Sequence, residues 1–330
     1  MRSKKAIVCR PPEIVFIENT NVCNLKCSMC PLKDMTREKR SMTLDSFKIL
    51  ADQIKQWKET RLNFYFFGES FVNKEAMNMI AYSKSIGLKI EFSTNLLLLN
   101  EGEIKTFMSL LDNNDSVTLS LDAFGEEEYK KMRVGGNYKK LMDNFEFIIR
   151  EQIVKESKPV ILAQGIYNWI PETFGAKGLL DENKKGMVES FINTILNKVW
   201  TLIGKDFTQD DIQNYTDQYY VRYLSGKLTK EIDKNIFFYV KDVDDWAAQM
   251  GARSKLKQIG SHQEYCDFPW KMMIVQVNGD VTVCCKDVNG TINIGNAFET
   301  SLQEIWNGEK MQQLRKDFIS FKKENICRYC

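Results

Sequence analysis

The chain has 330 residues, of which 43% are hydrophobic, enough to bury a large core with room for a second, smaller domain. Its formal net charge is +2, which excludes a global electrostatic footprint for nucleic acid. No apolar run reaches the length of a membrane span, and the basic N-terminus lacks the apolar core of a signal peptide, so a cytoplasmic protein is expected.

"PEIVFIEN" reads as a strand, and "NVCNLKCSMCP" follows it directly. "TLDSFKILADQIKQW" predicts a helix with Thr43 as N-cap and Phe47, Leu50, Ile54 and Trp57 at helical spacing. "RLNFYFF" is a strand, "NKEAMNMIAYSKSIG" a helix closed by Gly87, and "LKIEFST" a strand. "EGEIKTFMSLL" is helical, "DSVTLSLD" a strand, "NYKKLMDNFEFIIREQI" a long helix and "PVILAQGI" a strand. Strands alternating with helices predict βα units around a parallel sheet or barrel.

Beyond Tyr167 the alternation loosens. One helix is enough to join two parallel strands, so residues 167–207 read as an insertion, with Phe191, Ile195 and Val199 on one helical face and Trp200 and Ile203 near it. Its place after a strand's C-terminal end predicts a role in substrate access, with packing on the outside of the barrel as the competing reading. A second helical stretch, "TQDDIQNYTDQYYVRYLSG", leads to a sixth strand, "NIFFYVKDV". "WKMMIVQV" and "DVTVCC" flank Asn278-Gly279, a two-residue hairpin signal, and "SLQEIWNGEKMQQLRKDFISF" is mostly helical.

Cys23, Cys27 and Cys30 occupy a single loop after the first strand. Three soft thiolates suit one metal centre and leave a coordination position open. The only histidine, His262, is remote. A structural zinc site with a distant fourth ligand is the competing reading. Cys266, Cys284, Cys327 and Cys330 supply a full set of four thiols around the hairpin, which fits a [4Fe-4S] cluster or a zinc ribbon. Cys9 and Cys285 remain. Cys9 reads as incidental, and Cys285, beside Cys284, as packing or a hydrogen-atom donor.

The CxxxCxxC spacing, with Met29 at the apolar position, resembles the signature of the radical S-adenosylmethionine (SAM) superfamily. The resemblance implies that Cys23, Cys27 and Cys30 hold a [4Fe-4S] cluster and that SAM completes its coordination. It also implies reductive cleavage of SAM and hydrogen abstraction from a substrate by the resulting 5′-deoxyadenosyl radical. "FFGES" is similar to the family's Gly-Gly-Glu-Pro, with Gly68 and Glu69 matching and Phe67 and Ser70 departing. "STN", with Ser93, Thr94 and Asn95, resembles the segment near SAM. Ser120 and Asp122 resemble the Ser-x-Asp stretch, and Gln164 on the fifth strand is a further candidate contact.

The C-terminal stretches "CDFPWKMMIVQVNGDVTVCC" and "IGNAFETSLQEIWNGEKMQQLRK" resemble SPASM/twitch domains, and the cysteine count matches the shorter twitch form with one auxiliary [4Fe-4S] cluster. The expected architecture is α/β. A partial (β/α)6 TIM-like barrel spans residues 1–245, and a small α+β twitch domain, a hairpin plus helix, spans 256–330. The expected activity is radical SAM dehydrogenation of a small polar, natural-product or sugar-like substrate, similar to an aminocyclitol dehydrogenase of this type. Peptide (RiPP) or protein maturation and radical epimerisation use the same domains. A non-catalytic iron-sulfur or zinc protein is the reading from another class. The resemblance further implies a small-molecule or peptide substrate and an electron donor such as flavodoxin or ferredoxin, with no nucleic acid or membrane partner.

Overall fold

The structure, a computed structural model, describes residues 5–122, 125–167, 182–224, 229–242, 266–322 and 326–327. In chain order the first elements are β1 (Ile14–Ile17), α1 (Leu44–Lys55), β2 (Arg61–Phe64), α2 (Ala76–Ser85), β3 (Lys89–Thr94), α3 (Glu101–Leu110), β4 (Ser116–Ser120), α4 (Glu126–Met132), α5 (Tyr138–Val154) and β5 (Val160–Tyr167). Then come α6 (Glu182–Leu202), α7 (Gln209–Leu224), β6 (Thr229–Asp233), β7 (Ile236–Asp242), β8 (Met272–Val275), β9 (Asp280–Thr282), β10 (Gly295–Asn296), α8 (Leu302–Trp306) and α9 (Glu309–Ile319). The chain forms two compact units. One comprises residues 1–24, 30–92 and 244–330, and the other comprises 25–29 and 93–243. The expected domain boundary between residues 245 and 256 lies outside the described residues.

In the first unit β1, β2 and β3 pair in parallel, and β8 joins the other side of β1, also in parallel. Side chains alternate between the two faces of the sheet. Val15, Ile17, Leu62, Phe64, Ile90 and Phe92 are fully buried on one face. There Phe47 of α1 places its ring 5.1 Å from Phe64. The Thr43 side chain caps α1 by accepting from the Ser46 N–H at 3.2 Å, as its position before the helical pattern predicts. The opposite face carries Phe16, Asn63 and Glu91, which stand opposite one another in the register.

The β8–β9 hairpin forms, but its turn differs from the expected two-residue one. The Gln276 N–H donates to Asp280 O at 2.8 Å and the Gly279 N–H to Gln276 O at 2.9 Å. Only Gly279 takes a positive φ, 89°, so Val277–Gly279 form a three-residue loop whose last residue is left-handed. The "EIWN…LR" stretch anchors the N-terminal segment. Trp306 Nε1 donates to Arg10 O at 2.8 Å and Asn307 Nδ2 to Val8 O at 2.9 Å. Arg315 is fully buried, lies 4.3 Å over the Trp306 ring and donates to Pro269 O at 2.8 Å and Ala6 O at 3.0 Å. Burial lowers its guanidinium pKa to about 10.

In the second unit β4, β5 and β7 run parallel. These, with β1, β2 and β3, are the six strands read from the sequence. β6 was not foreseen: it pairs antiparallel with β7 and reads "TKEID", a charged segment with no apolar alternation. Charged side chains suit an edge strand. Helix α4 was also unforeseen. Most of the described part of the 167–207 stretch is α6, whose Phe191, Ile195, Val199 and Trp200 are buried. Phe191 sits 5.1 Å from Phe238 of β7, and a Cβ on Gly165 of β5 would meet its ring at 2.6 Å. This helix therefore packs on β5 and β7 as their crossover. Residues 168–181 lie outside the described residues.

Candidate functional site

The cysteine loop leaves β1 without regular structure. Within it Leu25, Cys27 and Met29 are buried, while Cys23 and Cys30 are half-buried and none is in a disulfide. In the second unit the end of α4 straps the loop: the Lys26 N–H donates to Val134 O and the Ser28 N–H to Met132 O, both at 2.9 Å. Between these straps Arg133 Nη1 donates to Cys27 Sγ at 3.3 Å. Arg133 also ion-pairs with Asp122. Asp122 is fully buried just past β4, with φ at 51°, and its Oδ1 accepts from Gln164 Nε2 at 3.4 Å. Gln164 and Ser120 are register partners on β5 and β4. The structure thus gathers Ser120, Asp122 and Gln164 at one strand end. It adds Arg133, which sequence reading missed. The available signal was a basic residue shortly after the Ser-x-Asp stretch.

Two buried polar atoms beside Cys27 have no hydrogen-bond partner among the described residues: Tyr129 Oη and Arg133 Nε. Burial, and then the charge of Cys27, push the Tyr129 phenol pKa well above its ordinary value. Ser93 is half-buried on β3. Past it, Thr94 Oγ1 accepts from the Leu96 N–H and Asn95 Oδ1 from the Leu97 N–H, each at 3.0 Å. These bonds hold Leu96 at φ 63°, so both side chains shape the loop itself.

In the first unit Gly68 has φ at 91°, and a Cβ there would lie 2.5 Å from Thr20 O and 2.9 Å from Val22 O. The Glu69 N–H donates to Val22 O at 2.9 Å. The Gly-Glu turn is thereby seated on the backbone that leads into Cys23, and Glu69 is buried. The departures from the family pattern have local roles. Phe67 is buried and packs on Phe66 at 4.4 Å, and Ser70 Oγ donates to Phe64 O at 3.0 Å. Past the cysteines Arg37 makes a bidentate pair with the buried Glu18 at 2.6 and 2.7 Å and donates to Val288 O at 2.8 Å. Glu18 also accepts from the Val277 N–H at 3.1 Å.

Of the C-terminal thiols, Cys266, Cys284 and Cys327 are half-buried, and Cys330 lies outside the described residues. Burial pushes the Cys284 thiol pKa far up, with the neighbouring Cys285 and Cys327 charges adding to it. Such a shift keeps the thiol protonated, and a cation bound to the sulfur would reverse it. Buried Asp287 organises their loop, accepting from Thr282 Oγ1 at 3.0 Å and from the Thr291 and Ile292 N–H groups at 2.8 Å. Among the described residues no three His, Cys, Asp or Glu side chains converge as a single-ion site requires. A cubane cluster binds each thiolate to a different iron and so holds the thiolates apart.

The profile of the radical SAM superfamily matches residues 17–164. The SPASM profile, an iron-sulfur cluster-binding domain, matches 266–330. Residues 17–164 form a radical SAM domain and residues 266–330 a SPASM domain. A curated relative is the tungsten-containing aldehyde ferredoxin oxidoreductase cofactor-modifying protein of Pyrococcus furiosus, 29% identical over 109 residues, which are 33% of this chain and 30% of that protein. The chain thus matches about a third of that relative's length. Streptococcus suis SuiB bound to S-adenosylmethionine shares the fold with a TM-score of 0.61 at 15% identity, over 97% of this chain and 72% of SuiB. BtrN in complex with AdoMet and 2-DOIA does so with a TM-score of 0.50 at 14% identity, over 94% and 88%.

The radical SAM domain implies SAM with a [4Fe-4S] cluster, and the SPASM domain implies auxiliary iron-sulfur binding. The residues present fit these groups. A cationic donor aimed at Cys27 suits a metal-bound sulfur, unpartnered polar atoms stand beside it, and the Cys284 thiol lies near Cys327. No helix among the described residues is long and apolar enough to cross a membrane.

Proposed function

We propose that this radical SAM enzyme removes two hydrogens from a small polar substrate, with Cys23, Cys27 and Cys30 as ligands of the SAM-binding cluster. Cys266, Cys284, Cys327 and Cys330 are the proposed ligands of one auxiliary [4Fe-4S] cluster. When bound, these groups supply a hydrogen-abstracting radical and an electron sink, which is the chemistry the polypeptide lacks. Arg133 and Asp122 form a buried charged pair that steadies Cys27 and offers the remaining guanidinium N–H to a carboxylate, such as that of SAM. Gly68 and Glu69 fix the approach to Cys23, and Ser120 and Gln164 present polar groups at the same strand ends as Asp122. Met29, Ser93 and Asn95 complete the proposed cofactor contacts. Reduction by a flavodoxin or ferredoxin completes the cycle.

The observation that supports oxidation over hydrogen return is the placement of Cys285. It packs with Tyr65, Phe66 and Phe268 against the buried Phe16, Met272 and Ile274. A thiol held among these side chains serves as packing. The test is anaerobic turnover with SAM, a strong reductant and a panel of aminocyclitols and amino sugars in deuterated water. A product lighter by two hydrogens, formed with 5′-deoxyadenosine, supports the reading. A product of unchanged mass that has gained solvent deuterium would make it an epimerase, and turnover of peptides alone would make it a maturase.

A further inference from the structure

The face of the β1–β2–β3 sheet that bears Phe16 carries a polar trio that lies outside the cofactor contacts proposed above. Asn63 on β2 stands directly opposite Glu91 on β3. Tyr65, two residues beyond Asn63 on the same face, donates its hydroxyl to Glu91 Oε1 at 2.6 Å and accepts from Asn63 Nδ2 at 3.1 Å. Burial, and then the Glu91 charge, push the Tyr65 phenol pKa well up, so it acts as a donor that orients the carboxylate.

Two features of the trio call for a ligand. Asn63 is 1% exposed, and its Oδ1 has no hydrogen-bond partner among the described residues. A buried amide oxygen left unpaired is costly. Glu91 is half-buried and pairs with no cation among the described residues. Lys89, two residues away on the same face, pairs with Glu59 instead, at 3.6 Å. A partly desolvated carboxylate without a counterion also carries a cost. Beside the trio the face is apolar: Phe16 meets the Tyr65 ring edge-on at 5.3 Å, with Ile274 and Met272 next to it.

We propose that Asn63, Tyr65 and Glu91 form a recognition subsite for a protonated amine of the substrate, an inference that rests on the small-molecule radical SAM reading above. An ammonium supplies the donors that Asn63 Oδ1 and Glu91 need, together with the charge that Glu91 needs. A neutral hydroxyl satisfies one acceptor and leaves the charge uncompensated, and a carboxylate is repelled.

The probe is n-butylammonium, compared with n-butanol and butyrate, and the readout is proton line broadening of each ligand by the anaerobically reconstituted holoenzyme. The amine is expected to broaden at least about fivefold more than the alcohol, the scale of a partly shielded ion pair. Glu91→Gln should bring it down to the level of the alcohol, and Tyr65→Phe should weaken it less. Equal broadening of amine and alcohol by the native enzyme overturns the subsite, as does amine broadening that survives in both Glu91→Gln and Glu91→Ala. The two readings fail separately. Absence of 5′-deoxyadenosine on reduction with SAM overturns the radical SAM reading, whereas loss of amine selectivity with that product intact overturns the subsite alone.

Discussion

Arg133 donates to Cys27 Sγ at 3.3 Å while ion-pairing with the buried Asp122. One guanidinium thus joins the end of β4 to Cys27, which lies 106 residues before Arg133 in the chain. Replacing it leaves Asp122 buried without its cation. Arg133→Met is expected to lower SAM cleavage by about 10- to 100-fold, the equivalent of one charge-assisted hydrogen bond of ~1.5–3 kcal/mol. Arg133→Lys should recover part of this, because a single charge cannot reach both partners as the planar fork does. Quantified 5′-deoxyadenosine, with iron content as the control, checks it. Unchanged cleavage in Arg133→Met would show the contact to be incidental.

The two thiol sets share no residue, so they should fail independently. Replacing Cys23, Cys27 and Cys30 by Ala should abolish 5′-deoxyadenosine formation while iron bound through the C-terminal set remains. Chemical iron and sulfide analysis of the native protein and the triple variant measures both. Cleavage of SAM by the variant would remove these cysteines from the site.

Gly68→Ala forces a Cβ to 2.5 Å from Thr20 O at a backbone φ of 91°. Neither backbone partner is the far end of a flexible side chain, so the turn must shift. Strain of about 1–3 kcal/mol is expected, with weaker SAM binding because the shift is passed to the residues before Cys23. Thermal unfolding and SAM titration read the two effects, and an unperturbed variant would contradict the close approach.

Arg315 tests the C-terminal motif as structure rather than chemistry. Arg315→Met keeps an aliphatic stem but leaves the Pro269 and Ala6 carbonyls without their donor. A loss of about 2–4 kcal/mol from hydrogen bonds and ring stacking is expected in urea unfolding. Turnover per folded, iron-loaded molecule should not change.

Tyr65 and Tyr129 both have phenols raised above the ordinary value. Such a group retains in the folded state a proton that the unfolded state gives up. Its contribution is therefore intact below the unfolded pKa of about 10 and is lost as pH rises beyond it. Alkaline absorbance titration should show these two of the 12 tyrosines ionising only with unfolding. Removal of that late step by the double Phe variant assigns it.

The sequence by itself determined the chemistry class and most of the frame. Thiol spacing within one loop is local, so Cys23, Cys27 and Cys30 raised the expectation of a cluster before any fold was known. Period-two and helical patterns marked the parallel strands, and the Thr43 cap sat where the pattern began. Three things came only with the tertiary structure. β6 is an edge strand whose charged residues carry no alternation, so only its pairing with β7 reveals it. The turn of the β8–β9 hairpin was decided by the pairing of Gln276 with Asp280, which admits three residues where the dipeptide signal suggested two. Arg133 beside Cys27, and Asn63 opposite Glu91, are meetings of ordinary polar residues on separate elements. Their meaning depends on strand register and helix placement, which bring distant side chains within hydrogen-bonding distance and leave no trace in local spacing.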